Sequence, residues 1–236
     1  MNWMMQLTGE EADLAPLTQS FTYGDIQVSK EDGKYLLASA RFEELTDAND
    51  VKDVALIIVA ILNGVCRVAL NGTEPIGIGN ALRRADNGKL HTYLLAGTGE
   101  FRRRGIPATM TAMRADSTVQ KPVDSVKQWA SLSLVDQAVA KVMRINALGL
   151  LEWANLYRVL EIIADDVGGF DTIEIRNWMP RGSTSRLKWT ANSADILGLE
   201  ARHGIQNHQS PPNPMTIGEA RRLVRALTWH WLESKS

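Results

Sequence analysis

Cysteine is almost absent from this chain of 236 residues, in which Cys66 is the only one. A single cysteine excludes an intrachain disulfide and a zinc site built from several cysteines. Its neighbours over residues 62–68 are mostly apolar, which predicts a buried and unreactive thiol. Long hydrophobic runs are also missing, because the longest, over residues 54–62, is about half of what a bilayer crossing requires.

Charge of one sign is missing as well. The 26 Lys and Arg side chains oppose 27 Asp and Glu, and the formal net charge is −1. No global field therefore attracts nucleic acid or an anionic membrane, and polyanion binding would need a local patch. The first residues lack the basic start and the apolar core of a signal peptide. We expect a cytoplasmic globular protein with no membrane partner.

Common catalytic motifs are absent too. The sequence has no Gly-x-Ser-x-Gly elbow, no Walker A loop and no His-Glu-x-x-His helix. Asp165 and Asp166 are adjacent on a predicted helix, so their side chains point about 100° apart and are poorly placed to share one ion. We expect neither a metal site nor a cofactor.

The first half of the chain predicts an α+β domain. Residues 21–28 and 34–39 flank Glu31-Asp32-Gly33, and Asp-Gly between short apolar segments is typical of a β-hairpin. Residues 76–83 and 90–96 form a second predicted pair around Asp86-Asn87-Gly88. The order hairpin, helix, hairpin predicts a small antiparallel sheet with a helix packed on one face.

The helix between the hairpins is predicted over residues 51–63. Asp50 would cap its beginning and Gly64 would end it or kink it. A single buried stripe is predicted along it, at the spacing i, i+3, i+4 and i+7. Its members are Val54, Ile57, Ile58 and Ile61.

The second half has helical periodicity throughout. A polar junction at residues 115–123 separates it from the first half, so we predict an α+β domain over 1–118 and a helical bundle over 119–236. Helices are predicted over 126–143, over 148–167 with a stop at Gly168-Gly169, over 171–178, and from Ser183 or Thr184 to 189. A capping box from Thr216 to Glu219 precedes the last helix. Trp229 and Trp231 cannot share a helix face, so one of them should be partly exposed or lie at an oligomer interface.

The run Arg202-His203-Gly204-Ile205-Gln206-Asn207-His208 carries the richest set of reactive groups. An arginine and a histidine held together can bind a phosphate, stabilise charge that develops on it, and move a proton without a metal. A simpler interpretation is that Arg202 and His203 contact carbonyls at a helix end. Gly204 and the pair Pro211-Pro212 disfavour a helix here, so a turn is also open.

The C-terminal half resembles HEPN-type helical domains in two places. The helix bearing Tyr157 and Glu161 is similar to their core helix, and residues 202–208 fit their signature of an arginine, a polar residue, a short spacer and a histidine. The resemblance implies metal-independent RNA cleavage at a homodimer interface, with a role in stress or antiviral defence. It implies that Arg202 holds the scissile phosphate, that His208 moves a proton, and that His203 fills the polar position. Tyr157 and Glu161 are four residues apart and project from one helix face, so Glu161 would orient Arg202 or another cation across the bundle, although a surface glutamate is the simpler interpretation.

Arginines form the best local basic patch in the first half. Arg102, Arg103 and Arg104 follow the last predicted strand, and Arg83 and Arg84 come near them if the second hairpin forms. Such a patch can bind the phosphates of RNA or of a nucleotide, although loop arginines are often only solvated. The functions left open are thus an RNA-directed ribonuclease, a non-catalytic binding or scaffold protein that self-associates through its helical half, and a small-nucleotide sensor.

Overall fold

The computed structural model describes residues 3–69, 75–95, 123–150, 152–201 and 212–235, apart from the side chains of 123 and 124. The strands in these ranges are β1 (Trp3–Thr8), β2 (Ile26–Glu31), β3 (Lys34–Ser39), β4 (Gly77–Arg84) and β5 (Leu90–Tyr93). The α-helices are α1 (Glu11–Ser20), α2 (Ala48–Ala69), α3 (Val123–Ser133), α4 (Gln137–Ala147), α5 (Trp153–Val167), α6 (Phe170–Ile175), α7 (Ser183–Ala191), α8 (Ala194–Leu197) and α9 (Ile217–Ser234). Short 3₁₀ turns lie at Ala40–Phe42 and Gly198–Glu200. The fold class is α+β, as predicted.

The chain divides into two compact units. One consists of Met1–Ile57 and Ile76–Ser125, and the other of Ile58–Pro75 and Val126–Ser236. The division therefore falls inside α2 as well as after the sheet. The predicted domain boundary near residue 118 lies outside the residues that the structure describes.

The first unit contains an antiparallel five-stranded sheet in the order β2-β3-β1-β4-β5. Both predicted hairpins are present, as β2-β3 and β4-β5. Asp32 and Gly33 have φ angles of 49° and 75°, the left-handed pair that a tight two-residue hairpin needs. The first hairpin strand begins at Ile26, later than predicted, because Gly24 with φ 103° turns the chain just before it.

The centre of the sheet is β1, which the predicted order of hairpin, helix and hairpin omits. Trp3, Met4, Met5 and Leu7 are all buried, so both faces of this strand are covered. Such a strand lacks the alternation of apolar and polar residues that marks a half-exposed strand. The helix α1, which contacts β2, is also missing from the prediction, and Pro16 inside it disfavours a helix in sequence terms.

The sheet is strongly curled over one of its faces. Glu31 at the end of β2 and Arg84 at the end of β4 are separated by two strands, yet the Arg84 Nη2 atom lies 2.5 Å from the Glu31 Oε2 atom. On the same face Met4, Leu36 and Leu82 form a small buried cluster. The curl brings the end of the edge strand β2 to the far end of β4, on the face that carries the cluster.

The helix α2 is longer than predicted at both ends. Asp50 lies within its first turn, while the Asp47 side chain accepts a hydrogen bond of 2.7 Å from the Asn49 N–H where the helix begins. Gly64 does not end the helix. It lies against the backbone of Met143 in α4, which a Cβ at this position would overlap.

The buried stripe of α2 is offset from the predicted one. Ile58 and Ile61 are buried as expected, but the side chain of Ile57 is 51% exposed and Val54 is half-buried. The first turns of the helix instead bury Val51 and Ala55. The thiol of Cys66 is buried, as predicted.

The predicted helix over 126–143 is in fact two helices, α3 and α4. The side chain of Asp136 accepts hydrogen bonds from the N–H groups of Ala138 and Val139, which caps a new helix. Val135 lies in the break and is 80% exposed. Asp136 therefore begins a new helix inside a stretch whose periodicity predicts one continuous helix.

In the second unit α5 contacts α4, α6, α7 and α9. Gly168 ends α5 with a left-handed φ of 90°, and the Thr216 side chain accepts a hydrogen bond from the Glu219 N–H at the start of α9, both as predicted. Glycines rather than side chains occupy the cap positions of α6 and α7. Within the described ranges, no helix combines the length and apolar character that a bilayer crossing demands.

Trp229 and Trp231 do not share a face of α9, as predicted. Trp231 is fully buried, and its Nε1–H donates a hydrogen bond of 2.8 Å to Asp166. Trp229 is half-buried and packs edge-on against Trp129, with 4.7 Å between the ring centroids. The partly exposed tryptophan is thus held by a neighbour within its own unit.

Candidate functional site

The predicted reactive residues Arg202, His203 and His208 lie outside the residues that the structure describes. Arg102, Arg103 and Arg104 also lie outside them. The described part of the chain contains the elements that flank the 202–208 motif and the companions Tyr157, Glu161, Arg83 and Arg84.

The chain just after the motif is fixed by Arg186 of α7. Its Nε–H donates a 2.8 Å hydrogen bond to the Asn213 carbonyl, and one terminal nitrogen donates to the Pro214 carbonyl at 3.2 Å. The guanidinium also pairs with both carboxylate oxygens of Glu219, in the first turn of α9. This bidentate ion pair fixes the position of the first turn of α9.

Tyr157 and Glu161 project from α5 in different surroundings. Tyr157 is buried, and Glu161 is half-buried at the edge of an open groove of about 560 Å³. The groove is lined by Glu161, Ala164, Asp165, Gly168, Gly169 and Phe170. Two carboxylates in it favour a cationic group over a phosphate, so Glu161 is suited to orienting an arginine rather than to binding substrate.

Acidic groups elsewhere in this unit stabilise helix ends. Burial alone would raise the pKa of Asp136, but hydrogen bonds from Lys235 and from the N–H groups at the start of α4 outweigh it and lower that pKa. Burial would lower the pKa of Lys235, and its contacts with Asp136 at 2.7 Å and Asp166 at 2.9 Å raise it instead. These shifts indicate a structural ion cluster that ties the end of α9 to α4 and α5.

Arg83 and Arg84 lie on opposite faces of the sheet, because successive side chains of a strand alternate. Arg84 is on the curled face, where it pairs with Glu31 and donates to the Gly88 carbonyl at 3.3 Å. Its charge is therefore already compensated. The two neighbouring arginines do not form one patch.

Arg83 lies on the other face, among aromatic rings. Its guanidinium carbon is 5.1 Å from the centroid of the Trp3 ring, and the Trp3 and Tyr93 rings are 4.9 Å apart at 58°. His91 is the cross-strand partner of Arg83 in the register of β4 and β5. We call Trp3, Arg83, His91 and Tyr93 the arginine–aromatic corner.

One side of the arginine–aromatic corner is buried and hydrogen-bonded, and the other side is exposed to solvent. Trp3 is only 3% exposed, and its Nε1–H donates a 2.8 Å hydrogen bond to the Leu45 carbonyl. Tyr93 is 39% exposed and His91 is exposed. Trp3 was missed because the central position of β1, which brings it beside β4, was not predicted. His91 and Tyr93 lie in a predicted strand but carry no motif of their own.

Within the described ranges, no group of three or more His, Cys, Asp or Glu side chains is arranged to hold a metal ion. No protein-family model matches this chain, and neither the curated proteins nor the solved structures that were searched include a match.

Proposed function

We propose that this protein is an RNA-directed endoribonuclease that acts in the cytoplasm without a metal ion, with Arg202 and His208 as the reacting pair. The observation that supports it is the packing of α5 against α9. The helix with Tyr157 and Glu161 and the helix that follows the motif are thus neighbours in one helical unit. The resemblance to HEPN-type domains requires these two helices to be neighbours.

The chemistry follows from the two side chains. Arg202 binds the scissile phosphate and offsets the charge that builds on it in the transition state. His208 accepts the proton of the 2′-hydroxyl, whose oxygen attacks phosphorus while the bond to the 5′-oxygen breaks. The leaving 5′-oxygen receives the proton. The two new RNA ends are therefore a 2′,3′-cyclic phosphate and a 5′-hydroxyl. As in the HEPN-type domains that the chain resembles, a homodimer would supply one such pair from each subunit. His203 would fill the polar position next to Arg202 in the motif.

The proposal is tested with Arg202→Ala and His208→Ala, beside His230→Ala as the matched control. His230 is an exposed histidine of α9 that lies 3.8 Å from Glu233. Each of the first two variants should lose cleavage of labelled RNA at least about 100-fold, with an unchanged thermal unfolding midpoint. His230→Ala should cleave like the wild type. Cleavage by His208→Ala at the wild-type rate would contradict the proposal and favour a non-catalytic binding protein.

A further inference from the structure

The arginine–aromatic corner has a layered arrangement that the cleaving centre does not use. Trp3, Arg83 and His91 form one row across β1, β4 and β5. In the next row Tyr93 is opposite Ala81, and the small alanine lets the tyrosine ring lean diagonally against Trp3. Two aromatic rings and a guanidinium plane are therefore in contact at one corner of the sheet.

The charge of Arg83 is uncompensated within the described part of the chain. No carboxylate there lies within salt-bridge distance of it, whereas Arg41, Arg84 and Arg186 each pair with one. The Arg83 Nε atom is buried and has no hydrogen-bond partner among those residues. A buried donor left without a partner is unfavourable for folding, and the cation–π contact with Trp3 offsets that cost.

The chemistry of the corner fits one class of ligand. A guanidinium stacked on an aromatic ring keeps its planar fork of donors free for a phosphate, and the neighbouring imidazole offers a further N–H. A half-exposed tyrosine ring offers a flat face on which a base can stack. Phosphate recognition beside base stacking is what a nucleotide requires.

We propose that the arginine–aromatic corner binds a nucleoside phosphate, either as a free nucleotide or within single-stranded RNA. The base stacks on Tyr93, and the phosphate is bound by Arg83 and His91. Stacking tolerates every base, so little sequence preference is expected. Binding here does not require that the helical unit cleaves RNA.

The test measures fluorescence anisotropy of a short labelled single-stranded RNA with full-length protein. The RNA is 2′-O-methylated, so it has no 2′-hydroxyl and cannot be cleaved by the proposed chemistry. Adenosine monophosphate, uridine monophosphate and inorganic phosphate serve as competitors. Both mononucleotides should displace the RNA at concentrations where inorganic phosphate does not, because phosphate lacks a base to stack. If the free nucleotide is the true ligand, the mononucleotides will bind more tightly than the RNA.

Two pairs of variants localise the binding. Arg83→Ala should weaken binding of the RNA at least about tenfold, whereas Arg84→Ala, which removes the same charge from the opposite face, should leave it unchanged. Tyr93→Ala should weaken binding about tenfold, whereas Tyr93→Phe keeps the ring and should bind like the wild type. Far-UV circular dichroism of all four variants, together with Arg83→Lys, separates loss of binding from loss of folding.

Three results would overturn the proposal. The first is that neither RNA nor a mononucleotide binds. The second is that Arg83→Ala and Arg84→Ala weaken binding equally, which indicates a diffuse electrostatic effect. The third is that folded Arg83→Ala or Arg83→Lys binds RNA as tightly as the wild type. Since the probe cannot be cleaved, each result is independent of whether Arg202 and His208 form a catalytic pair.

Discussion

At the scale of single residues, Gly64 shows how one missing methyl group sets helix packing. It lies in the interior of α2, where glycine is otherwise unfavourable. A Cβ there would overlap the carbonyl group of Met143. Because the obstacle is backbone rather than a flexible side chain, the two helix segments can approach closely only with glycine at this position.

We therefore expect Gly64→Ala to lower the free energy of unfolding by about 3 kcal/mol, the upper part of the range for overpacking a core. Gly218→Ala is the matched control, because a Cβ at Gly218 in the first turn of α9 meets nothing within 4 Å. That change should be neutral or stabilise the fold by a few tenths of a kcal/mol. Urea denaturation measures both, and equal stabilities of the two variants would refute the packing argument.

Glu174 supports the beginning of α7 from another helix. Its carboxylate accepts hydrogen bonds from the Thr184 hydroxyl at 2.5 Å, from the Gly182 N–H at 3.0 Å and from the Thr184 N–H at 3.4 Å. The hydroxyl contact above all lowers the pKa of Glu174 below its ordinary value of 4.5. Its stabilising contribution is therefore fully present above 4.5 and is lost as the pH falls through the lowered folded-state pKa.

Replacing Glu174 by Gln keeps an acceptor oxygen but removes the charge, so it should lower the free energy of unfolding by less than about 1 kcal/mol near neutral pH. Below the ordinary pKa of glutamate the difference from the wild type should shrink, because the wild-type carboxylate becomes protonated and loses its charge as well. Chemical denaturation at both pH values checks this. A difference that stays constant across that range would show that the charge of Glu174 contributes nothing.

At the scale of elements, the break between α3 and α4 depends on Asp136. Its carboxylate caps α4 and also binds Lys235, near the end of α9. Capping needs only an acceptor oxygen, whereas the bond to Lys235 gains from charge. The two contributions can be separated because asparagine keeps the first and loses the second.

We expect Asp136→Asn to lower the free energy of unfolding by less than about 1 kcal/mol, as is usual for a partly exposed ion pair. Asp136→Ala should lower it by about 1 kcal/mol more, since the cap is lost too. Thermal denaturation of the two variants beside Lys235→Met measures both differences. If Asp136→Asn is as unstable as Asp136→Ala, the cap is not what starts α4.

The elements that local sequence signals mark were predictable, and those set by distant contacts were not. The turns at Asp32-Gly33 and at 86–88 and the cap at Thr216 act within a few residues, so the hairpins and the start of α9 follow from the chain itself. The need for glycine at position 64 comes from Met143, far along the sequence. The opposite faces of Arg83 and Arg84 follow from strand alternation, but the place of Trp3 beside them depends on β1 lying between β3 and β4.

At the scale of the whole molecule, the proposed RNA binding and the proposed chemistry lie in different units. The corner around Arg83 belongs to the unit with the sheet, and the proposed reacting pair belongs to the sequence of the helical unit. A residue that only binds RNA should change the dependence on RNA concentration, and a residue that acts on the reacting atoms should change the turnover rate.

Steady-state cleavage should therefore separate the two groups of residues. Arg83→Ala is expected to raise KM about tenfold with little change in kcat, whereas His208→Ala abolishes kcat while RNA binding stays at the wild-type level. Arg84→Ala should change neither parameter. A loss of kcat in Arg83→Ala would place that arginine in the chemical step and contradict this division.

The proposed metal-independent cleavage of RNA is decided by incubating the purified protein with end-labelled tRNA in EDTA, beside His208→Ala, and identifying the product ends by mass spectrometry. The wild type should produce fragments that end in a 2′,3′-cyclic phosphate, and the variant should leave the RNA intact. Intact RNA in both reactions, or cleavage that requires added magnesium, would contradict it.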